Sequence, residues 1–264
     1  MRDYVVTGSG GREAAPAVDR HSGRGRLRRA ARLAGTLLMV AGVLALAWAF
    51  VVWRWQDPFT ALYTHFQQQH LAAAYKRQSA AFRPRVRIAP HRVDLAAVRK
   101  EIALEAAAYR SSLTRGGPVG RLKIGRIGLS MIVVQGTDDG SLEKGPGHYI
   151  GTKLPGQGGL IYIAGHRTTY LAPFSDINDI RVGDYVTFEL PYATFTYRVF
   201  RHYVVAADDL AVLVDHGREI LRLQACHPRF FATHRYIVDA RLVAFEPRGS
   251  SRSFVLPAAA GKPY

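Results

Sequence analysis

The stretch LRLQACHPRFFATHRYIVDARL, residues 221–242, sets two short runs rich in Leu, Ile, Val and Tyr on either side of a loop containing Pro, Arg and Phe. Branched and aromatic residues in runs of that length, separated by turn formers, predict two strands and a connection. Working outward, the first strand starts at Ile220 and the second runs on to Phe245. The same pattern recurs as RLKIGRI (121–127), SMIVVQG (130–136), LIYIAG (160–165), YVTFEL (185–190) and TFTYRVFRHYVV (194–205). Only a brief helical segment near residues 173–179 interrupts it. Many short strands at close spacing predict an all-β sandwich or closed barrel, and roughly 130 residues suffice for its core.

Upstream of Gly116-Gly117-Pro118 the pattern is helical. The run LAGTLLMVAGVLALAWAFVVW, residues 33–53, carries no charge, and at ~1.5 Å per residue it spans a hydrocarbon core of ~30 Å. Arg24, Arg26, Arg28, Arg29 and Arg32 precede it, whereas Arg54 alone stands before Asp57 on the other flank. The excess of positive charge places the N-terminus in the cytoplasm and everything after about residue 54 outside. Trp48, Trp53 and Trp55 gather at the exit end, where indole rings favour the interface. A cleaved signal peptide is the competing reading, since Ala45-Leu46-Ala47 has the form of a cleavage site. The apolar run is longer than a signal core, so an uncleaved membrane helix is preferred, and either way the body is exported.

Residues 1–32 then form a basic cytoplasmic tail and residues 54–118 an extracellular helical stalk or linker. Two helices are expected in the stalk, one over 58–82 and one from Asp94, with Leu95, Val98, Ile102 and Leu104 or Glu105 on an amphipathic period. The ten Lys and Arg of residues 55–115 could rest on anionic lipid or envelope polymer, or simply be solvated. Residues 248–264 read as a C-terminal tail.

The net charge of +16 suggests a nucleic-acid partner, yet residues 116–264 hold seventeen Lys/Arg against thirteen acids. That near balance, without a basic run interleaved by aromatics, excludes a nucleic-acid partner. A single cysteine, Cys226, excludes an intramolecular disulfide. No Cys/His spacing resembles a zinc site and no carboxylate cluster a calcium loop, so no metal or cofactor is expected.

Cys226 ends a strand, and His166, in GHRTT, follows the strand LIYIA in the same way. A lone Cys is more often a small buried hydrophobe. A thiol and an imidazole at two strand ends can nevertheless form a nucleophile and proton-transfer pair if the fold brings them together. Arg235 opens the next strand, where a fixed cation can steady an oxyanion. His227 and His234 adjoin Cys226 and Arg235 and so face the other way. His148 reads as structural, Tyr149 as a residue that could line a groove, and Asp138-Asp139 and Asp208-Asp209 as solvated turn residues.

Three ordered segments carry a family likeness: LEKGPGHYIGTKLPGQGGLIYIAGHRTT (142–169), PFSDINDIRVGDYVTFEL (173–190) and LRLQACHPRFFATHRYIVDARL (221–242). Together they resemble the sortases, membrane-anchored cysteine transpeptidases, over about residues 119–246, and GHRTTY most resembles their class E. The resemblance implies a closed eight-stranded β-barrel over residues 119–247, with His166, Cys226 and Arg235 converging at one groove, which Tyr149, by its own position in GPGHY, could line as a substrate-binding residue. It implies that Cys226 attacks the Thr–Gly bond of a C-terminal sorting signal (Leu-Ala/Pro-x-Thr-Gly) on a secreted protein, and that an amine of a cell-wall precursor resolves the thioester. His166 then protonates the leaving amine and deprotonates the incoming one, while Arg235 holds the oxyanion or substrate backbone. With a thiol near ~8.5 and an imidazole near ~6.5, activity peaks above about pH 7.

One departure stands out: the family usually has Thr-Cys where this chain has Ala225-Cys226, which puts a substrate-positioning hydroxyl in doubt. Other readings remain beside this one. The same trio would serve a pilin polymerase or a trimming protease, and an inactive tethered peptide-binding domain would need none of it. The L,D-transpeptidases place an Arg two residues after the Cys, where this chain has Pro228.

Overall fold

The computed structural model describes residues 21–54, 58–84, 94–250 and 252–256. The chain divides into two compact units, Met1–Trp53 and Arg54–Tyr264. Helix α1 (His21–Arg54) contains the segment Gly25–Val51, long and apolar enough by length and composition to cross a membrane. Its Leu37, Leu38, Met39 and Leu46 are exposed. Of the three tryptophans, Trp55 lies outside the described residues.

In the second unit, α2 (Pro58–Ala81) and α3 (Leu95–Ser112) precede the strands β1 (Pro118–Ile124), β2 (Leu129–Gln135), β3 (Gly147–His148), β4 (Leu160–Ala164), β5 (Tyr185–Glu189), β6 (Ala193–Ala206), β7 (Ile220–His227), β8 (His234–Pro247) and β9 (Phe254–Val255). The sheet order is β6-β5-β1-β2-β3-β4-β7-β8-β9. Pairing of β6 with β8 closes the first eight strands into a barrel, as antiparallel sheets do to remove their edges. Shifts of register between Thr196 and Tyr197 and between Val199 and Arg201 supply the bending that closure needs. Two pairings are parallel, β2 with β3 and β4 with β7.

Alternation decides which side chains fill the barrel. On β7, Leu221, Leu223 and Ala225 join the core with Val238 and Ala240 of β8, Phe188 of β5 and Phe195 and Tyr197 of β6. Arg222, Gln224 and Cys226 therefore stand on the outer face. Each large core side chain removed from water stabilises by roughly 1.5–3 kcal/mol.

Helices α2 and α3, expected within a stalk, lie on the barrel. From α3, Val98, Ile102, Ala106 and Tyr109 enter the main core, and the Tyr109 hydroxyl donates to the Val119 carbonyl at 2.7 Å. Asp94 caps this helix by accepting from the Ala96 amide. The amphipathic period ends on Glu105, which is buried, while Leu104 is exposed. From α2, Leu71 packs on Ile132 and Val134. Gln68 pairs with the backbone of Ile132 in both directions, its Nε2 donating at 3.0 Å and its Oε1 accepting at 2.8 Å. The amide thus satisfies a stretch of β2 that its short neighbour β3 leaves uncovered. In the C-terminal tail, β9 pairs with the end of β8, and Phe254 stacks on Phe245 at 5.3 Å.

Candidate active site

Three strands place the candidate residues. Cys226, the penultimate residue of β7, is the register partner of Arg235, the second residue of β8. On the other side β4 runs parallel to β7 with Ala164 opposite Gln224, and the Gly165 amide extends the ladder to the Gln224 carbonyl at 3.0 Å. His166 follows Gly165 as Cys226 follows Ala225, so the ladder sets His166 beside the end of β7 that carries the thiol. Gly165 must lack a side chain, because a Cβ there would lie 2.6 Å from a ring carbon of Phe174. The close approach of Phe174 in turn fixes the chain after His166, with its amide donating to the His166 carbonyl at 3.1 Å.

Cys226 and Arg235 are partly exposed at this end of the sheet. Arg235 donates through Nη1 to the Ala232 carbonyl at 2.7 Å and the His234 carbonyl at 3.0 Å. Burial lowers the His166 pKa below the ordinary imidazole value, and the carboxylates of Asp139 and Glu143 pull it part of the way back. These acids belong to the α4 turn (Asp139–Leu142) and the residue after it, and Asp138 caps that turn. The pair read as merely solvated thus includes a group acting on His166.

The loop beyond His166 is held in an uncommon conformation. Tyr170, Leu171 and Ala172 have φ of 53°, 59° and 37°, a left-handed run without glycine. Such residues each cost on the order of 1–3 kcal/mol and persist only where the surroundings fix them. Here the Tyr170 amide donates to Thr60 Oγ1 of α2 at 3.0 Å, and its hydroxyl donates to Glu143 at 3.1 Å. Fully buried Thr64 of α2 donates to the Glu143 carbonyl at 2.7 Å. The Tyr170 ring then lies 5.1 Å from that of His166.

Behind the thiol, the outer face of β4, β7 and β8 carries Tyr162, Ala164 and Ile237, packed with Val212, Leu213, Tyr203, Val205, Leu142 and Tyr149. Tyr149 meets Tyr162 edge to face at 6.3 Å, and the Tyr162 hydroxyl hydrogen bonds to Gln224. These side chains form a second apolar cluster on the outer face of the sheet, beside the strand that carries Cys226.

Ala225 points into the barrel and is 1% exposed, so the hydroxyl that the sequence comparison misses would sit in the core and not in the groove. His148 is buried, with Nδ1 bonded to Gln135 and Nε2 to the Lys153 carbonyl, and burial pushes its pKa down to about 4. His227 bonds to Arg167, and His234 to Thr233. Arg167 is the residue that sequence reasoning missed. It is 7% exposed and reaches the Cys226 carbonyl, though its only sequence signal is adjacency to His166. A separate cavity of about 610 Å³ between α2 and β1 is lined by Lys76, Arg121 and Arg248 and by none of the residues above.

Comparison with known proteins agrees with this architecture. The family profile described as the Sortase domain matches residues 122–243. Sortase D of Bacillus subtilis is 34% identical over 132 residues, which are 48% of this chain and 65% of that protein's length. Sortase E of Streptomyces avermitilis is 33% identical, with 51% of this chain and 93% of that one aligned at a TM-score of 0.46. The SrtF sortase of Corynebacterium diphtheriae is 25% identical over 63% of this chain and 96% of its own, at a TM-score of 0.50. With its closed eight-stranded barrel and these relatives, the chain belongs to the sortase family.

Proposed function

We propose that this chain is a membrane-anchored cysteine transpeptidase that cleaves a C-terminal sorting signal between Thr and Gly and joins the new carboxyl end to an amine of a cell-wall precursor. The observation that carries the reading is the register of Cys226 against Arg235, with His166 one strand away on the parallel neighbour. Cys226 Sγ adds to the Thr carbonyl carbon. The C–N bond then breaks, the Gly amine leaves with a proton from His166, and a thioester remains. An acceptor amine, deprotonated by His166, attacks the thioester and returns the thiolate. Arg235 faces the carbonyl oxygen as charge develops on it.

Tyr149, partly buried at the margin of the outer apolar cluster, contacts the residues of the signal that precede the Thr. The likeness of GHRTTY to class E favours Leu-Ala-x-Thr-Gly over Leu-Pro-x-Thr-Gly. The apolar helix around residues 33–53 holds the chain in the membrane with its N-terminus in the cytoplasm and the barrel outside, where secreted proteins bearing the signal and the amine acceptor meet it.

The test is transpeptidation by the full chain in detergent micelles, using fluorogenic peptides of both signals with an added Gly or diamino-acid acceptor. Cleavage between Thr and Gly with an acceptor-joined product, absent in Cys226→Ala, is the expected result. Hydrolysed product alone in the presence of acceptor would indicate a trimming protease, and joining only to a protein Lys a pilin polymerase. No cleavage, with a Cys226 that alkylates only on unfolding, would leave a tethered binding domain.

A further inference from the structure

Arg167 adjoins His166 in sequence yet serves the other strand. Its Nη1 donates to the Cys226 carbonyl at 3.2 Å and to His227 Nδ1 at 2.9 Å. Nη2 donates to Asn178 Oδ1 at 2.5 Å and Nε to the Ser175 carbonyl at 3.4 Å. The guanidinium carbon lies 5.9 Å from the centre of the Tyr236 ring on β8. One planar fork thus ties the loop after β4 to the end of β7, the turn at 175–178 and β8.

Two features exceed what a fold needs. Burying a cation is costly, and proteins ordinarily offset it with a carboxylate, as Arg222 does with Asp239 in this barrel. The four hydrogen-bond acceptors of Arg167 are two carbonyls, an amide oxygen and a ring nitrogen, all neutral. No carboxylate hydrogen bonds to it, and the acid that acts on it from a distance, Asp176, is itself paired with Arg229, so the guanidinium stands without a direct counter-ion near the one thiol in the chain. The bond to His227 Nδ1 also places that ring's proton on Nε2, and burial followed by the charge of Arg167 lowers the His227 pKa below the ordinary imidazole value.

We propose that Arg167 is a positioning residue for the nucleophile: it fixes the end of β7 through the Cys226 carbonyl, and its charge, hydrogen-bonded to no carboxylate, favours the anionic sulfur. The inference rests on Cys226 being the nucleophile, and it assigns to a second arginine work distinct from that of Arg235. Arg235 faces the substrate from the outer side of the sheet, whereas Arg167 grips the main chain from which the thiol projects.

Two variants of the full chain separate charge from geometry. Arg167→Gln loses both, and the folded protein should alkylate with iodoacetamide at neutral pH about tenfold or more slowly than wild type. Arg167→Lys keeps the charge but loses the planar fork, so alkylation should stay near the wild-type rate while kcat falls about tenfold with KM little changed. A merely structural arginine would lower Tm and leave both rates alone. If folded Arg167→Gln alkylates within about threefold of wild type, or Arg167→Lys keeps kcat within about threefold, the proposal is overturned. Should Arg167→Gln not fold, Arg167→Lys decides through kcat. Should the wild type show no turnover, the transpeptidase reading fails by itself, and alkylation still decides whether Arg167 acts on the thiol.

Discussion

Two residue pairs stand on the outer face of the β7–β8 ribbon, four positions apart, and are built in opposite ways. In the middle of the ribbon Arg222 faces Asp239. The two are nearly inaccessible and joined by bonds of 2.6 and 2.9 Å, with Arg201 adding a further bond to the same carboxylate at 2.9 Å. At the end of the ribbon Cys226 faces Arg235, whose Nη1 bonds go only to the carbonyls of its own turn. The first pair neutralises itself and holds strands together. The second leaves a cation and a thiol partly exposed, so the same register provides a clamp at one position and, two pleat repeats on, the pair that the proposed function makes reactive.

The comparison can be broken by experiment. Removing the carboxylate in Asp239→Ala leaves Arg222 as an uncompensated buried charge, and urea unfolding should show a loss of about 3–5 kcal/mol. Arg235→Ala should behave the other way, with turnover reduced about 10²-fold or more and unfolding changed by less than about 1 kcal/mol. Equal stability losses in the two variants would mean that the end pair is a clamp as well.

A smaller effect sharpens the reactive end. The acid limb of kcat/KM marks His166 taking up a proton, and since burial outweighs the nearby carboxylates, that limb should lie below about 6.5. Glu143→Gln removes a charge that favours the protonated ring, so the limb should move to still lower pH. A limb that stays in place would show that Glu143 acts only by holding Tyr170.

The strands, the three ordered segments and the trio at strand ends were legible because each rests on local pattern. Barrel closure was legible through the family likeness and not through the strands alone, since nothing within TFTYRVFRHYVV or RYIVDARLVAF announces that β6 and β8 pair. The period of Val98 and Ile102 marked a helix with an apolar face but not what covers that face, and so a helix of the core read as part of a stalk. Ala225 was weighed as a groove position, although the alternation that aims Cys226 outward sends its neighbour into the core. Arg167 escaped because its function depends on the reach of a long side chain across strands, which spacing along the chain does not encode.

Closure of the barrel also has a consequence in time. The seam joins β6 to β8, whose far end is Pro247, and the segments bearing Cys226 and Arg235 fall between and within those strands. A chain that emerges N-terminus first holds β1 to β6 waiting until the last strand arrives, a long-range pairing of the kind that forms slowly. Until that moment Cys226 has no register partner. Completion of the shell and the pairing of Cys226 with Arg235 are one event, so under the proposed function an unfinished molecule is latent.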